Sequence, residues 1–94
     1  MTSSGKGIAG PLLAVKALGL PTRVVSVSPM NTQGRAPEIA AQVANETAAL
    51  LDLNIEFAPT DFIHHDQYGD PGYGVVTPAG VEAMRLIGTT EGIL

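Results

Sequence analysis

Apolar side chains recur at helical spacing in three stretches of the chain, and this pattern predicts three helices. The first helix is predicted from about Ile8 to Leu18, with one apolar face formed by Ile8, Leu12, Val15 and Leu18. Gly19 follows in the position where a left-handed residue ends many helices, and Pro21 prevents the helix from continuing.

The second and third helices follow in the same way. The longest pattern covers about Pro37 to Leu53, and proline in its first turn has no hydrogen bond to lose. Its buried stripe is predicted to be Ile39, Ala40, Val43, Thr47, Leu50 and Leu51. Thr77 and Pro78 are typical of a helix start, and the last helix is predicted to reach about Ile87 with Val81, Met84 and Ile87 turned inward.

Two short extended runs are predicted to be strands, Arg23 to Val27 and Ile55 to Ala58. The apolar residues of the first run do not alternate strictly with polar ones, which favours a strand covered on both faces in a parallel sheet. Strand, helix and strand in this order predict a parallel, right-handed βαβ unit. The stretch from Pro59 to Val76, rich in Gly, Asp and Tyr, is predicted to be irregular.

The order of elements predicts an incomplete α/β sheet. Two short strands are too few to form the sheet on which the helices of an α/β fold pack. The glycine-rich start leads into a helix without a strand before it, and residues 91–94 end the chain on apolar side chains. We therefore expect one partial α/β domain over residues 1–94, either a segment of a larger protein or a chain that completes its sheet by self-association.

Composition and charge exclude several functional classes. The 94 residues include five basic and nine acidic side chains, for a net charge of −4, so the basic stripe needed by a nucleic-acid groove is missing. The absence of cysteine excludes disulfides, thiolate zinc sites and a thiol nucleophile. No apolar run approaches the roughly 20 residues that span a bilayer, and no secretory signal is visible, so we expect a cytoplasmic protein without membrane contact.

The stretch before the first helix has the composition of an anion-binding loop: Thr2, Ser3, Ser4, Gly5, Lys6 and Gly7. Small and hydroxylated residues at a helix start bring backbone N–H groups and hydroxyls onto a phosphate. The same composition also fits a disordered terminus with a serine cap. A small nucleotide-binding domain is a further alternative that rests on this loop alone, and the loop lacks the first glycine of a Walker A motif.

Two other groups of residues leave alternatives open. His64, His65 and Asp66, with Asp61 nearby, suggest either a metal site or a solvated loop. Adjacent histidines on an extended chain point to opposite sides, which favours the loop. Tyr68 and Tyr73 lie in a Gly/Pro-rich stretch and either contact a ligand or anchor the loop by packing.

Several blocks of the chain resemble one enzyme family. Residues 2–10 (TSSGKGIAG) resemble the T-G-S-G-G-T-x-A-G phosphate loop of the D-cysteine desulfhydrase and 1-aminocyclopropane-1-carboxylate deaminase family, and residues 16–27 continue in the register of its next helix and strand. Residues 68–74 (YGDPGYG), 77–85 (TPAGVEAMR) and 90–93 (TEGI) resemble its Y-x-x-P-G-Y-G, T-P-x-G-x-E-A-x-R and T-E-G-I blocks.

The resemblance implies a pyridoxal 5′-phosphate enzyme of fold type II, with this chain as part of its three-layer αβα, Rossmann-like large domain. Thr2 to Gly7 would then hold the cofactor phosphate, and Tyr73 would line the substrate pocket. Ser3, Lys6 and Gly7 depart from the Gly, Gly and Thr of the family loop, and a lysine at position 6 changes how closely the backbone meets a phosphate.

The resemblance also implies that the active site is not complete within residues 1–94. The family's cofactor-binding lysine precedes the phosphate loop, and its second active-site tyrosine and pyridine-nitrogen contact follow the T-E-G-I block. Lys6 and Lys16 are the only lysines here, and Lys16 is expected to point away on its helix. We therefore expect no catalytic residue, a parent reaction of β-elimination from D-cysteine or deamination of a small amino acid, and either a homo-oligomer or the remaining parts of a larger enzyme as partner.

Overall fold

The computed structural model describes residues 4–72 and 74–93 of the chain. Within these ranges it is an α/β structure with three helices and two strands, as predicted. The elements in chain order are α1 (Lys6–Ala17), β1 (Val25–Val27), α2 (Ala36–Leu50), a 3₁₀ turn (Pro59–Asp61), β2 (Ile63–His65) and α3 (Pro78–Glu91).

Two of the predicted helix ends are confirmed. Gly19 has a φ of 61°, and the Leu20 N–H donates to the Val15 carbonyl at 3.0 Å, which closes the last turn of α1. At the start of α3 the Thr77 hydroxyl accepts a hydrogen bond from the Gly80 N–H at 3.1 Å. α3 continues beyond the predicted Ile87 to Glu91.

The position of the second strand was predicted wrongly. β1 and β2 do pair in parallel, with Ser26 opposite His64, but the pairing segment is Ile63–His65 and not Ile55 to Ala58. The earlier segment is tied to α2 instead, because the Asn45 side chain accepts from the Phe57 N–H at 2.8 Å and donates to the Phe57 carbonyl at 3.0 Å. The Asn45 amide thus satisfies the backbone N–H and C=O groups of Phe57 that a neighbouring strand would otherwise bind.

The core lies between α1, α2 and the segment that follows α2, and α2 contributes mainly alanines to it. Of its predicted stripe, Ala40 is buried in the core and Val43 packs against it. Its predicted stripe was wrong at Leu50 and Leu51, which are 86% and 58% exposed. Alanines at four-residue spacing let α1 and α2 approach closely. The core cluster comprises Ile8, Ala9 and Leu13 of α1, Ala40, Ala41, Ala44 and Ala48 of α2, and Phe57 and Phe62. Leu18, predicted to be in the α1 stripe, is also exposed.

One face of the sheet is open, which contradicts the expectation that β1 is covered on both faces. Ser26 is buried and turned toward the helices, whereas Val25 and Val27 on the other face are 50% and 42% exposed. The helices α1 and α2 therefore form one layer, and the described residues provide no third layer over the valines.

α3 does not pack as predicted. None of its residues is buried, and the stripe expected to turn inward is exposed at Val81, Met84 and Ile87. The stripe is open because no other part of the described chain covers it. None of the helices in residues 4–72 and 74–93 has the length and apolar character needed to cross a membrane.

Candidate functional site

The predicted anion-binding loop meets the start of α2. Gly5 is the N-cap of α1, with a φ of 85°, and it is buried against Ala36, the first residue of α2. A Cβ atom added at Gly5 would lie 2.5 Å from the Ala36 carbonyl oxygen. Since α2 follows the carboxyl end of β1, the amino termini of both helices lie at the carboxyl edge of the parallel sheet. This edge is where ligands bind in open α/β sheets.

The loops that follow the two strands are joined at the same edge. The Asp66 carboxylate accepts hydrogen bonds from the Thr32 N–H at 3.0 Å and from the Thr32 hydroxyl at 2.6 Å. These two bonds, the hydroxyl first, lower the pKa of Asp66 below its ordinary value. Gly69 lies so close to the other loop that a Cβ atom there would be 2.6 Å from the Asn31 nitrogen. The two loops are therefore held together by the hydrogen bonds between Thr32 and Asp66, the Thr32–Asp66 clamp, and by the close backbone contact at Gly69.

A polar pair lies on the inner face of the sheet, with Ser26 buried and His64 half-buried. Ser26 and His64 are opposite each other in the register, and Ser26 Oγ and His64 Nδ1 share a hydrogen bond. Ser26 is only 4% exposed, so a substrate has no access to its hydroxyl. The pair links the two strands across the sheet, and we assign it a structural role.

The residues predicted to bind the cofactor phosphate fall into two groups. Ser4, Lys6 and Gly7 are exposed at the start of α1, and Gly5 is buried between the two helices. Thr2 and Ser3 lie outside the described residues, as does Tyr73, the predicted substrate-pocket residue. The cap of α1 is Gly5 itself, without a side-chain hydrogen bond, so the serine cap of the alternative interpretation is not formed.

The histidine pair lies in a strand and not in the predicted solvated loop. His64 faces the helices, and His65 faces the open side, where its Nδ1 lies 3.5 Å from the Gln67 side-chain nitrogen. Within the described part of the chain no group of three or more potential ligands could hold a metal ion. Tyr68 is 70% exposed, so it does not anchor its loop by packing.

Lys16 is engaged at the far end of α1. Its ammonium group donates to the Glu56 carbonyl at 2.7 Å, lies 3.3 Å from the Asp61 carboxylate and sits 4.7 Å from the centre of the Phe57 ring. An open depression of about 440 Å³ beside it is lined by Leu12, Val15, Lys16, Gly19, Leu20 and Asp61. This depression is away from the loop at the start of the helix, and Lys16 joins α1 to the segment after α2.

Sequence comparison identifies relatives over nearly the whole chain. The 1-aminocyclopropane-1-carboxylate deaminase of Burkholderia multivorans is 31% identical over 91 residues, which are 97% of this chain and 27% of the relative. The deaminase of a Methylobacterium species is 31% identical over 93 residues, and a probable deaminase of Schizosaccharomyces pombe is 27% identical over 93 residues. No family model matches the chain.

The chain is related to part of the 1-aminocyclopropane-1-carboxylate deaminases. The resemblance expected from the sequence blocks is thereby confirmed for this branch of the family. The chain spans about a quarter of the length of the curated deaminases that it matches.

Two features of this edge of the sheet were not expected from the sequence. The Thr32–Asp66 clamp joins residues that are 34 positions apart in the sequence. From the sequence, Asp66 was considered only as a possible metal ligand. The contact between Gly5 and Ala36 was also missed. The sequence signal for this edge is a polar residue directly after each strand. Because the second strand was predicted at the wrong position, this signal was not recognised.

Proposed function

We propose that this chain carries the phosphate-binding turn of a pyridoxal phosphate enzyme of the deaminase type and that neither Lys6 nor Lys16 binds the cofactor covalently. The observation that carries the proposal is the meeting of two helix amino termini at the carboxyl edge of the sheet, with Gly5 between them. The parent reaction would be the deamination of a small amino acid such as 1-aminocyclopropane-1-carboxylate.

The residues at the start of α1 fit a phosphate group. The aligned peptide dipoles of a helix place partial positive charge at its first turn. The first turn of α1 contains no acidic residue that would repel an anion. Lys6 is exposed in the same turn and adds a mobile cation. Bound there, pyridoxal phosphate would supply the electron sink for bond breaking at an amino acid, while Gly5, Lys6 and the helix start would orient its phosphate.

The expected affinity is modest. An exposed anion gains about 0.3–1 kcal/mol from a helix terminus, and an exposed ion pair with Lys6 adds at most about 1 kcal/mol. Ordering each loop residue on binding costs about 1–2 kcal/mol. Together these contributions predict a dissociation constant for phosphate no better than millimolar.

Neither lysine of the chain is suited to bind the cofactor covalently at this turn. Lys16 lies ten positions along α1 from Lys6, a rise of about 15 Å along the helix axis. Its ammonium group is held by the Glu56 carbonyl and the Asp61 carboxylate. Lys6 stands in the turn that would hold the phosphate, where its ammonium group would pair with the phosphate oxygens.

Titration of the chain with inorganic phosphate, followed by NMR, tests the proposal. We expect the amide signals of Gly5 and Gly7 to shift and to saturate in the millimolar range. Gly19 and Gly92, which lie at the carboxyl ends of α1 and α3, serve as internal controls and should not move. Replacement Lys6→Ala should weaken binding by up to about fivefold. Shifts of equal size at all four glycines, or none at Gly5 and Gly7, would refute the site.

A further inference from the structure

The start of α2 depends on the turn that leads into it, residues 31–34. Arg35 is the N-cap residue of α2, and the helix has no side-chain capping hydrogen bond. Many helices begin with an N-cap side chain that accepts a backbone N–H of the first turn and so fixes the helix start. In α2 this role passes to the preceding turn and to the groups that hold that turn in place.

The backbone of this turn needs support from its surroundings. Gln33 and Gly34 are both left-handed, with φ values of 54° and 76°. A left-handed conformation is uncommon at a residue other than glycine and persists where neighbouring groups hold it. The Gln33 N–H donates to the Asn31 side-chain oxygen at 2.9 Å. The Arg35 N–H donates to the Thr32 carbonyl at 3.1 Å. These two bonds close the turn but do not attach it to another segment.

Asp66, directly after β2, attaches the turn to the second strand. Its carboxylate accepts from both the N–H and the hydroxyl of Thr32, and it lies 3.5 Å from the Gly34 nitrogen. Hydrogen bonds to an ionised acceptor are roughly twice as strong as those between neutral groups. The close backbone contact between Gly69 and Asn31 lies beside these bonds. The loop after β2 therefore fixes where the turn lies.

The same turn is connected to the predicted phosphate site through one residue. Ala36 is the first residue of α2, is 1% exposed and lies against Gly5, the N-cap of α1. An added Cβ at Gly5 would lie 2.8 Å from the Ala36 Cα, so no space for a methyl group separates the two helix starts. Closely packed groups transmit displacements to each other. A shift of Ala36 therefore moves or loosens the first turn of α1.

We infer that Asp66 is a positioning residue for the phosphate-binding turn. Through Thr32 it fixes the start of α2, and Ala36 then holds Gly5 and the first turn of α1 in the arrangement that receives a phosphate. Asp66 acts through these residues and not by contact with the anion. The inference rests on the proposed function, because it names the residue that fixes the same site.

The direction of the effect separates positioning from simple electrostatics. Asp66→Asn removes a negative charge from the edge of the sheet that would bind an anion, so charge alone predicts tighter phosphate binding. Positioning predicts weaker binding, because a neutral amide accepts weaker hydrogen bonds from Thr32. Thr32→Val removes the hydroxyl without changing the charge and should also weaken binding. Thr32→Ser keeps the hydroxyl and should bind as the wild type does.

Phosphate titrations of these variants at neutral pH, followed by NMR at Gly5 and Gly7, test the inference. We expect Asp66→Asn and Thr32→Val each to raise the dissociation constant about two- to thirtyfold, the range for residues that couple distant sites. Asp61→Asn is the matched control, because it removes the same charge from a carboxylate that binds Lys16 at the far end of α1. This control should leave the dissociation constant unchanged. A dissociation constant at or below the wild-type value in Asp66→Asn or Thr32→Val would overturn the inference.

Hydrogen exchange without phosphate gives a second readout, which separates this inference from the proposed function. The Ile8 and Ile39 amides donate in the first turns of α1 and α2, and the Leu53 amide donates to the carboxyl end of α2. In Asp66→Asn, Ile8 and Ile39 should exchange faster relative to Leu53. Equal acceleration at all three amides, which a general loss of stability would cause, or no acceleration would overturn the inference. A wild type without phosphate shifts would refute the phosphate site, and the exchange data would still decide whether Asp66 positions the two helix starts.

Discussion

At Gly5 a backbone conformation and a packing contact require the same residue type. Its φ of 85° is unfavourable for other L-residues, and a Cβ atom would lie 2.5 Å from the Ala36 carbonyl oxygen. The glycine at this position could be read from the sequence as part of a phosphate loop. Its contact with α2 could not be read, because it joins residues 31 positions apart.

Replacement Gly5→Ala should therefore lower the free energy of unfolding by more than about 1 kcal/mol. The matched control is Gly10→Ala in the same helix, where the added Cβ meets nothing within 4 Å apart from its own helix. That change should alter stability by less than about 1 kcal/mol, because the gain from alanine in a helix interior is opposed by contact of the new Cβ with the ring of Pro11. Urea denaturation of both variants measures the two effects, and equal losses would contradict the contact with Ala36.

The Asp66 carboxylate predicts an acid dependence of stability. Its pKa lies below the ordinary 3.8 because the Thr32 hydroxyl and N–H donate to the charged form. A carboxyl group with a lowered folded-state pKa adds stability above its unfolded pKa, and this contribution is lost as the pH falls through the lower folded value. The stability advantage of the wild type over Asp66→Asn should therefore shrink as the pH falls below 3.8. If denaturation curves show a constant stability difference between the wild type and Asp66→Asn down to about pH 2, the Thr32–Asp66 clamp is contradicted.

Among the elements, the helices were easier to predict than the strands. Local signals gave the end of α1 at Gly19 and the start of α3 at Thr77, because caps are formed by residues close in sequence. The second strand was misplaced because Ile55 to Ala58 has a suitable composition, while strand pairing depends on contacts distant in sequence. The Asn45 side chain binds both backbone groups of Phe57, so these groups are not available for pairing with β1.

Replacement Asn45→Ala should lower the free energy of unfolding by about 1–3 kcal/mol, because it leaves the backbone groups of the buried Phe57 without partners. Gln42→Ala is the matched control in α2. The Gln42 side chain makes only an exposed hydrogen bond to Glu46, so its loss should cost less than about 0.5 kcal/mol. Similar losses in both variants, measured by urea denaturation, would show that Asn45 does not hold this segment.

For the molecule as a whole, a sheet of few strands was expected from the sequence, but the exposure of one of its faces was not. The number of strands and the absence of a strand before α1 indicated an α/β segment. The pattern could not reveal that α1 and α2 would cover only one face, because Val25 and Val27 resemble the valines of a fully covered strand. The curated deaminases that the chain matches are about four times as long as the chain.

The most direct test of the phosphate-binding role compares pyridoxal 5′-phosphate with pyridoxal in one NMR titration followed by borohydride reduction. The two ligands differ only in the phosphate group, so binding through the α1 turn predicts shifts at Gly5 and Gly7 with pyridoxal phosphate and none with pyridoxal. Reduction should leave no single lysine stoichiometrically modified. Equal shifts with both ligands, or complete modification of Lys16, would contradict the account.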